Sequence, residues 1–225
     1  MRIDLTSHLI LAAGRQFGQP TLNAGATFRT NATMGQYGMS CQFYQPPEIQ
    51  YMHPGLNPYV AGVGRHWWAN SKSCGQCIKI TNTHNNKSGL AIIADYCPEC
   101  TPRQLDLGDK VSRKLSSHDK PENYGAWLKV ENVECDWQPA QQPTFAVHKD
   151  SSAWHWYVIP QFLSAPLKSI TIENQQASHD NYGRWVWAWR APKPAKTYEA
   201  KICTIKDECT TTTIQFHYKT PKQDL

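Results

Sequence analysis

The sequence predicts an all-β protein of two domains, and three observations carry that prediction. Apolar residues come in short runs, several of them alternating with polar ones, which marks half-buried strands. Apolar residues make up 40% and charged residues 18% of the 225. Both fall below globular averages, and the balance is Asn, Gln, Ser and Thr, which suits short strands joined by polar loops. The uncharged, proline-bearing stretch Trp137-Gln-Pro-Ala-Gln-Gln-Pro143 separates a half with six of the eight cysteines from a tryptophan-rich half with two. The boundaries expected are therefore a first domain over 1–137, a linker over 138–143 and a second domain over 144–225.

In the first half, residues 77–81, 90–95 and 127–133 read as strands, with clear alternation in the first and around Leu128 and Val130. Residues 108–115 read as a short helix, because Val111 and Leu115 lie four apart with Lys110, Arg113 and Lys114 turned to solvent. In the second half, strands are expected over 154–159, 167–173, 184–190, 198–204 and 211–219, with turns such as Asn181-Tyr-Gly183 and Lys206-Asp-Glu208 between them. Regular short strands with turn signals point to a β-sandwich.

Several function classes are disfavoured. Cys74-Gly-Gln-Cys77 and Cys97-Pro-Glu-Cys100 resemble zinc knuckles, but the other four cysteines fit a disulfide framework better. The histidines, His66, His84, His118, His148, His155, His179 and His217 among them, show no ligand spacing, so neither metal nor cofactor is expected. The net charge is +5, with 13 Lys and Arg against 11 Asp and Glu in residues 1–137 and 10 against 7 in 143–225. That mild, unclustered excess lacks the basic stripe of a nucleic-acid binder, and it would favour acidic polysaccharides such as pectin. No apolar run is long enough for a membrane helix. The run 8–13 is short and sits behind Asp4, so the chain reads as a mature form without its export signal. Asn31-Ala-Thr33 and Asn86-Lys87-Ser88 are glycosylation sequons and agree with export.

Two groups of residues carry chemistry. Asp95 closes an apolar strand, and Asp106 lies in Gln104-Leu-Asp-Leu-Gly108 just before the expected helix. Taken alone, Asp106 reads as a helix cap in preference to a groove carboxylate, since Asp is common at helix starts. Trp154 and Trp156 are two apart, so on one strand they share a face, and flat rings exposed there suit the C–H faces of sugars. Trp185, Trp187 and Trp189 also share a face, with Trp185 assigned to the core.

The ordered set Ala26-Thr-Phe28, Ser40-Cys-Gln-Phe43, the segment from Trp68 to Cys77, Ala94-Asp-Tyr-Cys-Pro98, Leu105-Asp-Leu107 and Val133-Glu-Cys135 resembles the six-stranded double-psi β-barrel of expansins and family 45 endoglucanases. The resemblance spans about residues 22–137. The second half resembles the immunoglobulin-like cellulose-binding sandwich of expansins, with Trp154-His-Trp156 and Tyr182-Gly-Arg-Trp-Val186 in place of its aromatics. It implies a groove acid at Asp106, with Thr27, Asp95, Tyr96 and Arg29 beside it. Arg29 stands where the family commonly has a tyrosine. The resemblance also implies a platform of Trp154, Trp156 and Tyr182. The disulfides it implies are Cys41–Cys74 and Cys77–Cys135. Cys97–Cys100 is left over as a local loop, and Cys203–Cys209 would close the late hairpin.

Inverting hydrolysis needs two carboxyls with room for a water between them. The segment Ala24-Gly-Ala-Thr-Phe-Arg-Thr-Asn-Ala32, where the family 45 base would stand, has none. The resemblance therefore implies a secreted, monomeric, non-hydrolytic wall-loosening protein acting on cellulose and matrix glucans such as xyloglucan. A glycoside hydrolase or lytic transglycosylase with Asp106 as general acid is the alternative. A barwin- or kiwellin-type defence or inhibitor protein comes third.

Overall fold

The structure, a computed structural model, describes residues 21–29, 39–41, 59–120, 122–135, 144–148, 150–161, 163–188, 194 and 196–216. The expected linker over 138–143 lies outside the described residues, as do Asn31 and Trp189.

Six strands close a barrel: β1 (Thr21–Arg29), β2 (Val60–Val63), β3 (Cys77–Asn82), β4 (Ser88–Tyr96), β5 (Gln104–Gly108) and β6 (Tyr124–Val133), in the spatial order β1-β5-β2-β4-β3-β6. β1 runs parallel to β5 and β2 parallel to β4, and the other pairs are antiparallel. This is the double-psi barrel. Alternation builds β3 and β6, which turn Ile78, Ile80, Leu128 and Val130 inward. In β4 the alternation fails over residues 91–94, all buried. A helix, α2 (Asp109–Leu115), packs against the barrel through Val111 and Leu115, so β4 has apolar neighbours on both faces. The single-turn helix α1 (Arg65–Trp68) follows β2. β2 has no alternation to read, because all four of its residues are buried.

The second half forms two four-stranded sheets. One has the order β10-β9-β13-β14, with β9 (Leu167–Ile172), β10 (Gln175–Gln176), β13 (Thr197–Thr204) and β14 (Cys209–Gln215). The other has the order β11-β12-β8-β7, with β7 (Thr144–Val147), β8 (His155–Gln161), β11 (Ser178–His179) and β12 (Trp185–Ala188). Their shared core is aromatic. Trp156 lies 3.6 Å from Phe216 between ring centroids, 5.4 Å from Tyr198 and 5.7 Å from Trp187.

Four disulfides lock the chain: Cys41–Cys74 and Cys77–Cys135, the pairs the resemblance implies, and Cys97–Cys100 and Cys203–Cys209, the local loop and the hairpin staple. The barrel and the sandwich touch directly. Ile159 of β8 is buried in the barrel's apolar cluster with Ala146 beside it. The Cys135 N–H donates to the Ser164 carbonyl at 2.9 Å, and Lys206 pairs with Glu134.

Candidate functional site

The barrel site grows from strand register. In the parallel β1–β5 pair Thr27 stands opposite Asp106, and the Thr27 hydroxyl donates to Asp106 Oδ1 at 3.0 Å. Gly62 of β2 pairs with Asp106 on one side and with Asp95 of β4 on the other. Glycine leaves a gap there: a Cβ on Gly62 would lie 3.4 Å from the Asp106 Cβ and 3.7 Å from the Asp95 Cβ. The two carboxylates therefore lie on the same face of three adjacent strands, with only the space of the missing Gly62 side chain between them. Gly62 is one residue that sequence reasoning missed. The signal was a glycine amid an otherwise apolar strand, which marks a close approach.

Asp106 does not cap α2. It lies within β5, and the N-cap is Gly108, which makes no side-chain cap bond. The helix begins one residue later than its pattern suggests. Nor is Asp106 in an open groove, since only 4% of its surface is exposed. A carboxylate that deep needs polar partners, and Thr27 is one of them.

Asp95 has a second task. Its Oδ1 accepts from the Ser40 N–H at 2.9 Å, the Ser40 hydroxyl at 2.7 Å and the Tyr96 N–H at 2.8 Å. Those bonds fasten the segment beside the Cys41–Cys74 bridge. Tyr96 is half-buried and packs on Trp68 at 5.5 Å between centroids. The Arg29 backbone ends β1 opposite Gly108, and its side chain lies outside the described residues.

The sandwich presents an aromatic face, but one expected member is wrong. Trp156 is fully buried. The two-residue spacing from Trp154 does not put them on one face, because Trp154 lies in the turn before β8, which starts at His155. Within β8 the even positions Trp156 and Val158 point to the core, and the odd positions His155 and Tyr157 point outward. Trp154 and Tyr182 are 53% and 56% exposed. Tyr157 joins them as the residue the sequence reading passed over. Arg184 completes the group: its guanidinium lies 4.1 Å from the Tyr157 ring centroid and 5.3 Å from that of Tyr182. Its charge is matched by Asp180, at 2.7 Å. Trp185 and Trp187 are core. Among the described residues no cluster of His, Cys, Asp and Glu could hold a metal ion.

Comparison with known proteins adds three findings. Residues 39–136 match the Barwin family model. Expansin-like protein 1 of Dictyostelium discoideum is 32% identical over 76 residues, which are 34% of this chain and 24% of that protein. The match thus spans about a quarter of the relative's length. Two crystal structures of the expansin of Clavibacter michiganensis superpose with a TM-score of 0.70, covering 89% of this chain and 93% of theirs. One is the free protein, at 15% identity, and the other an aspartate-to-asparagine mutant in complex with cellohexaose, at 14%. At these identities the likeness shows the fold.

Proposed function

We propose that this chain, similar to expansins and with a stretch over residues 39–136 that matches the Barwin family model, is a secreted, non-hydrolytic protein that binds cellulose and matrix glucans and loosens their mutual contacts. The observation that carries this reading is the exposed aromatic set on the sandwich, Trp154 before β8 and Tyr182 linked through Arg184 to the partly exposed Tyr157. Flat rings exclude water from the C–H faces of a β-linked glucan, and the gain needs no charge. The ion pair of Arg184 with Asp180 offsets the guanidinium charge beside these rings, which suits neutral cellulose and xyloglucan better than an acidic polymer such as pectin. The related expansin crystallised with cellohexaose supports the same class of ligand.

The barrel supplies a second contact. Asp95 and Thr27, half-buried beside Gly62, offer an acceptor and a hydroxyl to sugar hydroxyls, with the buried Asp106 behind them and Tyr96 and Arg29 at the strand ends. Binding there competes with contacts between wall polymers. Bond cleavage by inversion requires a base opposite the acid, and β1 reads Thr-Leu-Asn-Ala-Gly-Ala-Thr-Phe-Arg with no carboxylate. The disulfides support an oxidising, extracellular setting. We take the protein to act as a monomer divided into a barrel, a linker over 138–143 and a sandwich from 144.

The test is an assay for new reducing ends on amorphous cellulose, xyloglucan and mixed-linkage glucan, run beside extension of isolated wall strips. Extension without reducing ends is expected. Reducing ends that vanish in Asp106→Asn would instead establish the hydrolase or transglycosylase reading.

A further inference from the structure

The hairpin between β11 and β12 joins the aromatic face to the barrel. Asp180 organises it. Its Oδ1 accepts the N–H groups of Tyr182 at 2.8 Å and Arg184 at 3.0 Å, and its Oδ2 accepts Arg184 Nε at 2.7 Å. The guanidinium fixed in this way stacks between Tyr157 and Tyr182. The pose of Tyr182 therefore depends on where Asp180 is held.

The barrel holds it. The hydroxyl oxygen of Ser71, fully buried, stands 2.6 Å from the Asp180 carbonyl and 2.6 Å from the Asn70 carbonyl, which share its single proton, so the hydroxyl ties the turn to the barrel. His179 Nδ1 stands 3.5 Å from the same hydroxyl oxygen. On the far side of the turn, Gly183 has φ of +75° and rests on the Cys41–Cys74 bridge. A Cβ there would come within 2.6 Å of Cys74 Sγ. Only glycine meets both conditions, the left-handed backbone and the close approach.

We propose that Ser71 and Gly183 are positioning residues for polysaccharide binding: through them the barrel sets the pose of Tyr182 and Arg184. This rests on the reading that the aromatic face stacks on glucan. A turn left free would have to be ordered by each ligand, and that cost would weaken binding. A turn seated on a disulfide and a buried hydroxyl meets the ligand already ordered. The barrel thus raises the affinity of the sandwich face without touching the sugar stacked there.

The experiment measures binding isotherms of the full chain on amorphous cellulose for Ser71→Ala, Tyr182→Ala, Trp154→Ala and the double variants that pair Ser71→Ala with each. Loss of one hydrogen bond at the seat should weaken binding about three- to ten-fold. That loss should disappear in the Tyr182→Ala background and persist in full in the Trp154→Ala background. Gly183→Ala, which lifts the turn off Cys74, should show the same pattern if Ser71→Ala folds poorly. Parental binding by both variants, or a loss that simply adds to that of Tyr182→Ala, overturns the inference and leaves the stacking reading intact. Parental binding by Tyr182→Ala and Trp154→Ala alike overturns the stacking reading itself.

Discussion

Thr27 and Asp106 face each other across the parallel β1–β5 pair, and the Thr27 hydroxyl donates to Asp106 Oδ1 at 3.0 Å. The carboxylate is buried, so losing this donor removes part of what compensates its desolvation. Thr27→Val should destabilise the protein by about 1–3 kcal/mol in denaturant unfolding. Asp106→Asn keeps an acceptor oxygen for Thr27 and should unfold close to the parent while failing to extend wall strips. A fully active Asp106→Asn protein would remove Asp106 from the site.

Gly62→Ala tests the gap between the carboxylates. The added methyl makes ordinary van der Waals contacts, at 3.4 Å and 3.7 Å, so unfolding free energy should change by less than about 1 kcal/mol. Wall loosening should fall, because the methyl fills the space a sugar hydroxyl would enter. Parental activity would show that the gap is unused.

Trp154 and Trp156 should part company when each is replaced by alanine. Trp156 sits among Phe216, Tyr198 and Trp187, and its loss should cost about 3–5 kcal/mol of stability. Trp154 is half exposed, so its replacement should leave the unfolding midpoint nearly unchanged and weaken cellulose binding. Equal stability losses in the two variants would refute this division.

His179 gives the hairpin seat a pH dependence. Burial holds its imidazole below the ordinary value, Asp180 raises it and Lys72 lowers it further. The folded state thus disfavours the charged form relative to the unfolded chain. Stability should be independent of this group above about pH 6.5, and should decline as pH falls from there through the lowered folded pKa. Unfolding curves of parent and His179→Gln between pH 7 and pH 4 should diverge in that direction. Parallel curves would place the charge change elsewhere.

Much of the architecture was legible because it rests on local patterning. The alternation in residues 77–81 and around Leu128 and Val130 corresponds to β3 and β6, and the i, i+4 pair Val111 and Leu115 marks α2. β2 was not legible, since a strand buried on both faces shows no period. The function of Asp106 was ambiguous for a different reason. A carboxylate before a helix looks like a cap until register places it opposite Thr27 and Gly62. The error at Trp156 came from phase. The two-residue rule holds only within a strand, and β8 begins after Trp154. Tyr157, Arg184 and the seat at Ser71 depend on contacts between elements distant in sequence, which no spacing encodes.

The most direct measurement is a binding isotherm on insoluble cellulose for the parent and for the triple variant Trp154→Ala, Tyr157→Ala, Tyr182→Ala. At roughly 1–3 kcal/mol per stacked ring, by analogy with bases on aromatic side chains, the variant should lose most of its affinity. Its unfolding midpoint should stay near that of the parent, because two of the three rings are more than half exposed. A folded triple variant that binds cellulose as tightly as the parent would contradict the claim that this face holds the polysaccharide.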